Sequence, residues 1–370
     1  MILATSCTHR TAGARAFLNT VRDAALPTEE GRTRPALRCR VQGVRMRQPD
    51  SENLAEGLIL ASDFNRAIGE DLRLRRFAER EGLRRVARGQ YISEARWRAY
   101  DPDQRYEVRV RAAALARNGS VVLSHQSAAV LWGLPLLAAW PSEVHFLTER
   151  ASGGRSDPGI RRHALGIDAR DVTVLDGLLI TTVARTVIDL AATVDLKSAV
   201  AAVDRALHVD RFGRAPTLTT KAELLETWER MLPFRGSVRA RAIIEFGTDK
   251  SGSTSESGSR VNIALSGFPE PELQHPFTVD GRTVEADFFW LDYCSVGECD
   301  GTGKYFNPEL LAGRTAEQVV YAEKLREDGI RRQVRGFTRW DSAIALSQFR
   351  LRSRLLGLGL PTGTPRLTLR

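Results

Sequence analysis

Thr254-Ser255-Glu256-Ser257, Val284-Glu285-Ala286-Asp287-Phe288-Phe289-Trp290, Val296-Gly297-Glu298-Cys299-Asp300-Gly301 and Lys304-Tyr305 are the four runs that decide how this chain is read. The first opens a helix on an acid, and the next two end strands on acids. The fourth brings a lysine just after the last strand. Hard cations such as Mg²⁺ take oxygen ligands, usually one or two carboxylates completed by waters and a phosphate. A cation so held polarises a phosphodiester and lowers the pKa of an attacking water.

The surroundings set these runs in a folded context. A Ser/Gly-rich stretch at 248–255 leads into the first helix, whose apolar side carries Ala264 and Leu265; Pro269 and Pro271 then break the chain. Residues 273–279 and 282–290 read as two strands joined at Asp280-Gly281, a strong hairpin signal. A third strand over 295–299 follows, and Gly301 and Gly303 turn the chain. The pattern predicts a long helix over 318–332, a strand over 334–340 and one final amphipathic helix over 341–358. Lys324, Arg326, Arg331 and Arg332 on the long helix either contact phosphate or form an ordinary charged face, the reading taken for Arg332. The third strand is less apolar than a strand covered on both faces should be.

Composition points the same way. The 370 residues are too many for one typical domain. With 42% hydrophobic and 27% charged residues, real cores are possible. Lys+Arg number 54 against Asp+Glu 45, a formal charge of +9 that favours an anionic partner. The planar fork of Arg, which dominates the basic set, suits phosphate and guanine; the bland alternative is an Arg-rich proteome. Cys7, Cys39, Cys294 and Cys299 have neither a disulfide framework nor finger spacing. No apolar run approaches a membrane span, and the first residues do not read as a secretion signal. A cytoplasmic protein without a membrane partner is therefore expected.

Towards the N-terminus, residues 1–50 lack periodicity and read as a poorly ordered tail, with Met46 a second candidate start. From 54 to 95 the pattern changes. Residues 72–78 place apolar residues at helical spacing between Arg73, Arg75 and Arg76, and Gly82 is a helix stop. Residues 83–92, with Arg84, Arg85 and Arg88, read as a hairpin turning near Gly89. Helix, turn, basic helix and β-wing are the parts of a winged helix-turn-helix, whose second helix enters the major groove. The bland alternative is a small amphipathic domain with a solvated Arg face. Further on, 103–117 is a helix, 121–123 and 144–147 are strand-like, and 182–192 and 196–207 are helices, with strand material at 181–182. Ser124 is read as a helix cap, since no Ser-His-acid set can be assembled from spacing.

Two resemblances follow from these residues. The basic winged module, Leu-Ser-His-Gln-Ser-Ala-Ala-Val-Leu-Trp-Gly-Leu-Pro at 123–135 and Thr-Val-Ala-Arg-Thr-Val-Ile-Asp-Leu-Ala at 182–191 resemble abortive-infection antitoxins of the AbiEi type (type IV antitoxins). That resemblance covers about 54–208 and implies DNA binding, usually at the protein's own promoter, beside a nucleotidyltransferase-type toxin. The helix–three strands–helix–strand order over about 250–345, with its acids, resembles the restriction-endonuclease-like PD-(D/E)XK core, near very-short-patch repair endonucleases. It implies that Asp287 and Glu298 hold Mg²⁺ or Mn²⁺, with the carbonyl of Cys299 a further ligand. Glu256 matches a helix acid that some members add through water. The usual lysine two positions after the strand acid is Asp300 here, so Lys304 stands in.

The expected architecture is a multidomain chain of α+β and α/β character. It divides into a tail (1–50), winged helix-turn-helix (54–95), AbiEi-like α+β region (98–208), linker and helix (209–249), nuclease-like domain (250–345) and C-terminal helix and tail (346–370). The expected function is DNA binding with a Mg²⁺-dependent endonuclease site of Glu256, Asp287, Glu298 and Lys304. Arg73, Arg75, Arg76, Arg84, Arg85 and Arg88 would carry DNA affinity. The alternative is a non-enzymatic antitoxin or transcriptional regulator with a degenerate nuclease domain.

Overall fold

A computed structural model describes residues 58–60, 80, 82–87, 89–117, 121–154, 156–210, 216–300 and 316–367. The expected helix carrying Arg73, Arg75 and Arg76 lies outside the described residues, as do Arg88 and Lys304. The chain is a mixed α+β protein and clusters into two compact units. One comprises residues up to 190 with 210–232, and the other 191–209 with 233 onwards.

In the first unit, β1 (Ile59–Leu60), β2 (Leu83–Ala87) and β3 (Gln90–Ser93) form an antiparallel sheet in the order β1-β3-β2. The hairpin turns at Gly89, whose φ of 70° suits a residue without Cβ. Ser93 caps α1 (Glu94–Ala99) by accepting from the Arg96 N–H. Asp101 and Gln104 form a capping box on α2 (Pro102–Leu115), with Pro102 at its first position. Ile92, Trp97, Tyr100 and Val108 make a small core here.

A second, mixed sheet follows, built from β4 (Val122–Leu123), β5 (Val144–Leu147), β6 (Ile160–His163), β7 (Val172–Leu175) and β8 (Leu178–Thr181) in the order β6-β5-β4-β8-β7. Helices α3 (His125–Trp132) and α4 (Val183–Thr193) flank these strands in sequence. Tyr106 on α2 buries its ring in this core, and its hydroxyl meets Ser127 Oγ and the Glu143 carbonyl, each at 2.9 Å. The chain then leaves this unit as α5 (Leu196–Leu207) and returns as α6 (Lys221–Met231).

The second unit holds α5, α7 (Ser237–Phe246) and α8 (Thr254–Leu265), then a four-stranded sheet. β9 (Glu272–Val279) and β10 (Arg282–Trp290) pair around Asp280-Gly281, where both residues have positive φ. β11 (Ser295–Asp300) is antiparallel to β10. After α9 (Ala316–Arg331) the chain returns as β12 (Gly336–Asp341), parallel to β11. The final helix differs from expectation: it is two pieces, α10 (Ser342–Ala345) and α11 (Gln348–Leu356). Ser347 breaks it by accepting from the Arg350 N–H and starting the second piece.

Apolar clusters lie on both sides of this sheet. One joins Ile263 of α8 with Phe288, Trp290, Cys299, Trp340 and Leu351; the other joins Ile330 of α9 with Phe277, Phe289 and Val296. The weakly apolar β11 is central because its neighbours supply the volume. A Cβ on Gly297 would come within 2.5 Å of the Trp340 ring and 3.1 Å of Trp290, so only glycine fits between those indoles.

Beneath α8 lies a buried charge pair. Asp204 of α5 accepts from Arg260 Nη1 (2.6 Å), Ser257 Oγ (2.7 Å) and the Thr248 N–H (2.9 Å). Arg260 also donates to the Phe246 carbonyl and lies 4.5 Å over the Phe246 ring.

Candidate functional site

The fork between β10 and β11 organises the second unit's polar residues. The antiparallel ladder runs from Trp290↔Ser295 to Phe288↔Gly297 and goes no further. Just beyond it, Asp287 turns its own carboxylate to the neighbouring strand, and Oδ2 accepts the Cys299 backbone N–H at 2.8 Å. Across β9, residues on either side of Asp287 are in register, Ala286 with His275 and Phe288 with Leu273. Gln274, between those partners, takes a left-handed φ of 52°. Its Nε2 donates to Asp287 Oδ1 (3.2 Å) and to Glu256 Oε2 (3.3 Å).

Glu256 comes from the first turn of α8. Its carboxylate also accepts from the Gly252 N–H (2.9 Å) and Ser253 Oγ (2.8 Å), and Ser253 in turn caps the helix. An acid there is favoured by the helix dipole. Glu256 and Asp287, distant in sequence, thus meet on one amide nitrogen.

Glu298 is directed elsewhere. Side chains alternate along β11, so Cys299 joins the α8-side core while Glu298 and Asp300 take the other face. Glu298 Oε2 accepts from Arg326 Nη2 at 2.5 Å, and Asp300 is paired with Arg339. Glu298 Oε1 is buried with no hydrogen-bond partner among the described residues. Burial, opposed by Arg326, pushes the Glu298 carboxyl up to about 7. Arg326, although burial opposes its charge, is held above its ordinary range by Glu323 and Glu298. Arg326, one of the candidate phosphate contacts, is therefore committed inside the protein. Burial also pushes the Cys299 thiol up to about 12, so its sulfur stays protonated and only its backbone belongs to the fork.

The donor set suits a hard cation in part. Glu256 Oε2 and Asp287 Oδ1 are anionic oxygens converging on one point, as Mg²⁺ or Mn²⁺ requires. Glu298 does not join them, and among the described residues no three His, Cys, Asp or Glu side chains form a metal-holding group. Asp287 and Glu298 were expected to share the cation, with Glu256 joining through water; here Gln274 links Asp287 to Glu256, and Glu298 is paired with Arg326. Gln274 was missed because a lone amide within a strand carries no motif.

The two described arginines of the β2–β3 hairpin differ. Arg84 gives Nε and Nη2 to Glu94 (2.7 and 3.0 Å) and lies 5.5 Å from the Trp97 ring centre, so its fork is occupied. Arg85 is exposed and donates to the Ala87 carbonyl at 3.3 Å.

The first unit buries a separate polar group. Ser124 begins α3, yet its hydroxyl meets His125 Nδ1 (3.1 Å) instead of capping the helix. His125 stacks on His163 at 3.6 Å, and His163 Nε2 meets His145 Nδ1 at 3.1 Å. Asp189 also approaches His125 at Nδ1, 3.7 Å away. Serine and acid share one ring nitrogen, so no Ser-His-Asp relay can run through the ring. Burial lowers His145 and His163 to about 3 and His125 well below its ordinary value of 6.5. The unfolded chain therefore binds more protons between about pH 3 and 6.5, and stability is lost as pH falls through that window. Between pH 7 and 5, His145 alone should cost the fold on the order of 2 kcal/mol. Urea unfolding of a Glu298→Gln variant, which removes the raised carboxyl that gains stability over the same interval, should show the lower midpoint at pH 5; equal midpoints there would mean that the imidazoles are hydrated.

Comparison with known proteins gives little more. No family model matches the chain. Two curated proteins of Mycobacterium tuberculosis, "Uncharacterized protein MT2308" and "Uncharacterized protein Rv2248", from different strains, are each 29% identical over 167 residues, 43% of this chain. The match spans 59% of each relative's length. Among the described residues no helix is long and apolar enough to cross a membrane.

Proposed function

We propose that the chain is a DNA-binding protein whose second unit is a divalent-metal-dependent phosphodiesterase of the PD-(D/E)XK class, near the very-short-patch repair branch. The observation that carries this is the fork at β10 and β11. There Asp287 holds the Cys299 N–H with one oxygen, and its other oxygen meets Glu256 of α8 across Gln274 Nε2. Helix, hairpin, third strand, crossover helix and parallel fourth strand follow in the order that class uses. Asp287, Glu256 and the Cys299 carbonyl would hold Mg²⁺ or Mn²⁺. When bound, the cation supplies Lewis-acid polarisation of the phosphate and a more acidic water. Lys304 remains the residue assigned to the attacking water or to charge developing on phosphate. Purified protein with Mg²⁺ or Mn²⁺ should nick supercoiled plasmid, and EDTA should stop it. No cleavage with either cation, with gel shifts intact, would refute the enzyme.

The first unit is assigned to DNA reading. The three-stranded β1-β3-β2 sheet packed with α1 and α2 supports a winged module, and the AbiEi-type reading adds a promoter or a nucleotidyltransferase-type toxin as partner. Arg85→Ala should weaken DNA binding and lower the log K against log salt slope by about 0.9, one phosphate contact. Arg84→Ala should leave the slope nearer its original value, because Glu94 and Trp97 already hold that guanidinium. Anisotropy titrations across NaCl concentrations measure both, and an unchanged slope in Arg85→Ala would remove it from the interface.

A second reading is favoured by one observation: Glu298 and Asp300 are spent on Arg326 and Arg339. On that reading the second unit no longer cuts, and the protein is a regulator or antitoxin.

A further inference from the structure

We infer that Gln274 is a built-in competitor for the cation, a latch that sets how much divalent metal the site needs. The inference rests on the two-carboxylate reading above and extends it to regulation. Its basis is that neither acid needs Gln274 to be held in place. Asp287 is anchored through Oδ2 by the Cys299 N–H at 2.8 Å. Glu256 is anchored by the Gly252 N–H at 2.9 Å and by Ser253 Oγ at 2.8 Å.

The amide contacts are longer, 3.3 Å to Glu256 Oε2, which also keeps the Gly252 N–H, and 3.2 Å to Asp287 Oδ1. Nε2 thus occupies the point where a shared cation would sit, offering partial positive charge to two carboxylates that would otherwise repel. Gln274 reaches that point from a left-handed backbone conformation, φ 52°, that side chains other than glycine seldom adopt. A cation entering the site must displace the amide from both oxygens, and the lost hydrogen bonds are deducted from its affinity.

The test is Mn²⁺ binding to the full-length protein without DNA, followed by electron paramagnetic resonance of the free ion. Gln274→Leu removes the donor at similar volume. Gln274→Gly removes it while relieving the backbone, so a folded variant is assured by one route or the other, with circular dichroism as the check. Both variants should bind Mn²⁺ about tenfold more tightly than the wild type, the equivalent of the two weak hydrogen bonds released. Gln274→Glu, which brings an oxygen and no donor, should bind more tightly still.

Unchanged or weaker binding in the Leu and Gly variants overturns the latch and makes Gln274 a ligand or a bystander. The two-carboxylate reading fails separately. If Asp287→Ala binds Mn²⁺ as well as the wild type, the cation lies elsewhere, and if no variant binds it, both ideas fall.

Discussion

Asp287→Ala should abolish metal-dependent nicking, with a rate loss of about 10²–10³-fold or more, while leaving DNA affinity close to that of the wild type. Asp287 does two jobs at once. One oxygen stops the β10–β11 ladder by taking the Cys299 N–H, and the other faces Glu256 across Gln274. Truncation removes one of the two carboxylates that would hold the cation and leaves the Cys299 N–H without its acceptor. Asp287→Asn separates these roles: its carbonyl oxygen can still accept from Cys299, but it carries no charge for a cation. Both variants should therefore be inactive, with Asn the better folded. Nicking assays beside thermal melts provide the check, and substantial cleavage by either variant would move the chemistry away from this fork. Glu298→Gln should be much milder on cleavage, because Glu298 faces Arg326 rather than Glu256.

Asp204→Ala should destabilise the second unit by about 3–5 kcal/mol, because it strands a buried guanidinium. Arg260 is 9% exposed and Asp204 1% exposed, so water cannot easily replace the lost carboxylate. Thr248 and Ser257 lose an acceptor in the same substitution. Replacing both partners, as in Asp204→Leu with Arg260→Met, should recover part of the loss, because the orphaned charge goes too. Denaturant unfolding of the wild type, Asp204→Leu, Arg260→Met and the double variant measures the coupling, with Asp204→Ala run beside them. A single Asp204→Ala costing under about 1 kcal/mol would mean that the pair is hydrated, as exposed pairs are.

Some of this was legible in the chain and some was not, for physical reasons. The hairpin was readable because Asp280-Gly281 demands two positive φ values between alternating strands, and β10 matches its expected limits of 282–290. Helix α5 and strand β5 also fall at their expected limits, each marked by its apolar pattern. Strands β6 and β7 were missed. Ile160–His163 carries Arg161 and Arg162, and only Ile160 is buried, so no apolar run announced it. The third strand's low apolarity was a sound warning about volume but could not reveal two indoles filling the space over Gly297.

The acids were visible as residue types, and Asp287 and Glu256 do meet. The fate of Glu298 was not visible, because Arg326 reaches it only through the crossover that brings α9 over the sheet. Gln274 depends on a single left-handed residue that no period encodes. What spacing could not supply, in both cases, was which face of a strand each side chain takes.

The glycine wedged between Trp290 and Trp340 has a practical use. It sits one residue before Glu298 and directly opposite Phe288 at the last rung before the fork. Indole emission responds to small changes in its surroundings, so the protein carries an intrinsic optical probe at this place. With Trp97, Trp132, Trp140 and Trp228 replaced by Phe, so that only this pair of the six indoles remains, metal titrations and unfolding of the sheet can be followed there by fluorescence, without attaching a dye.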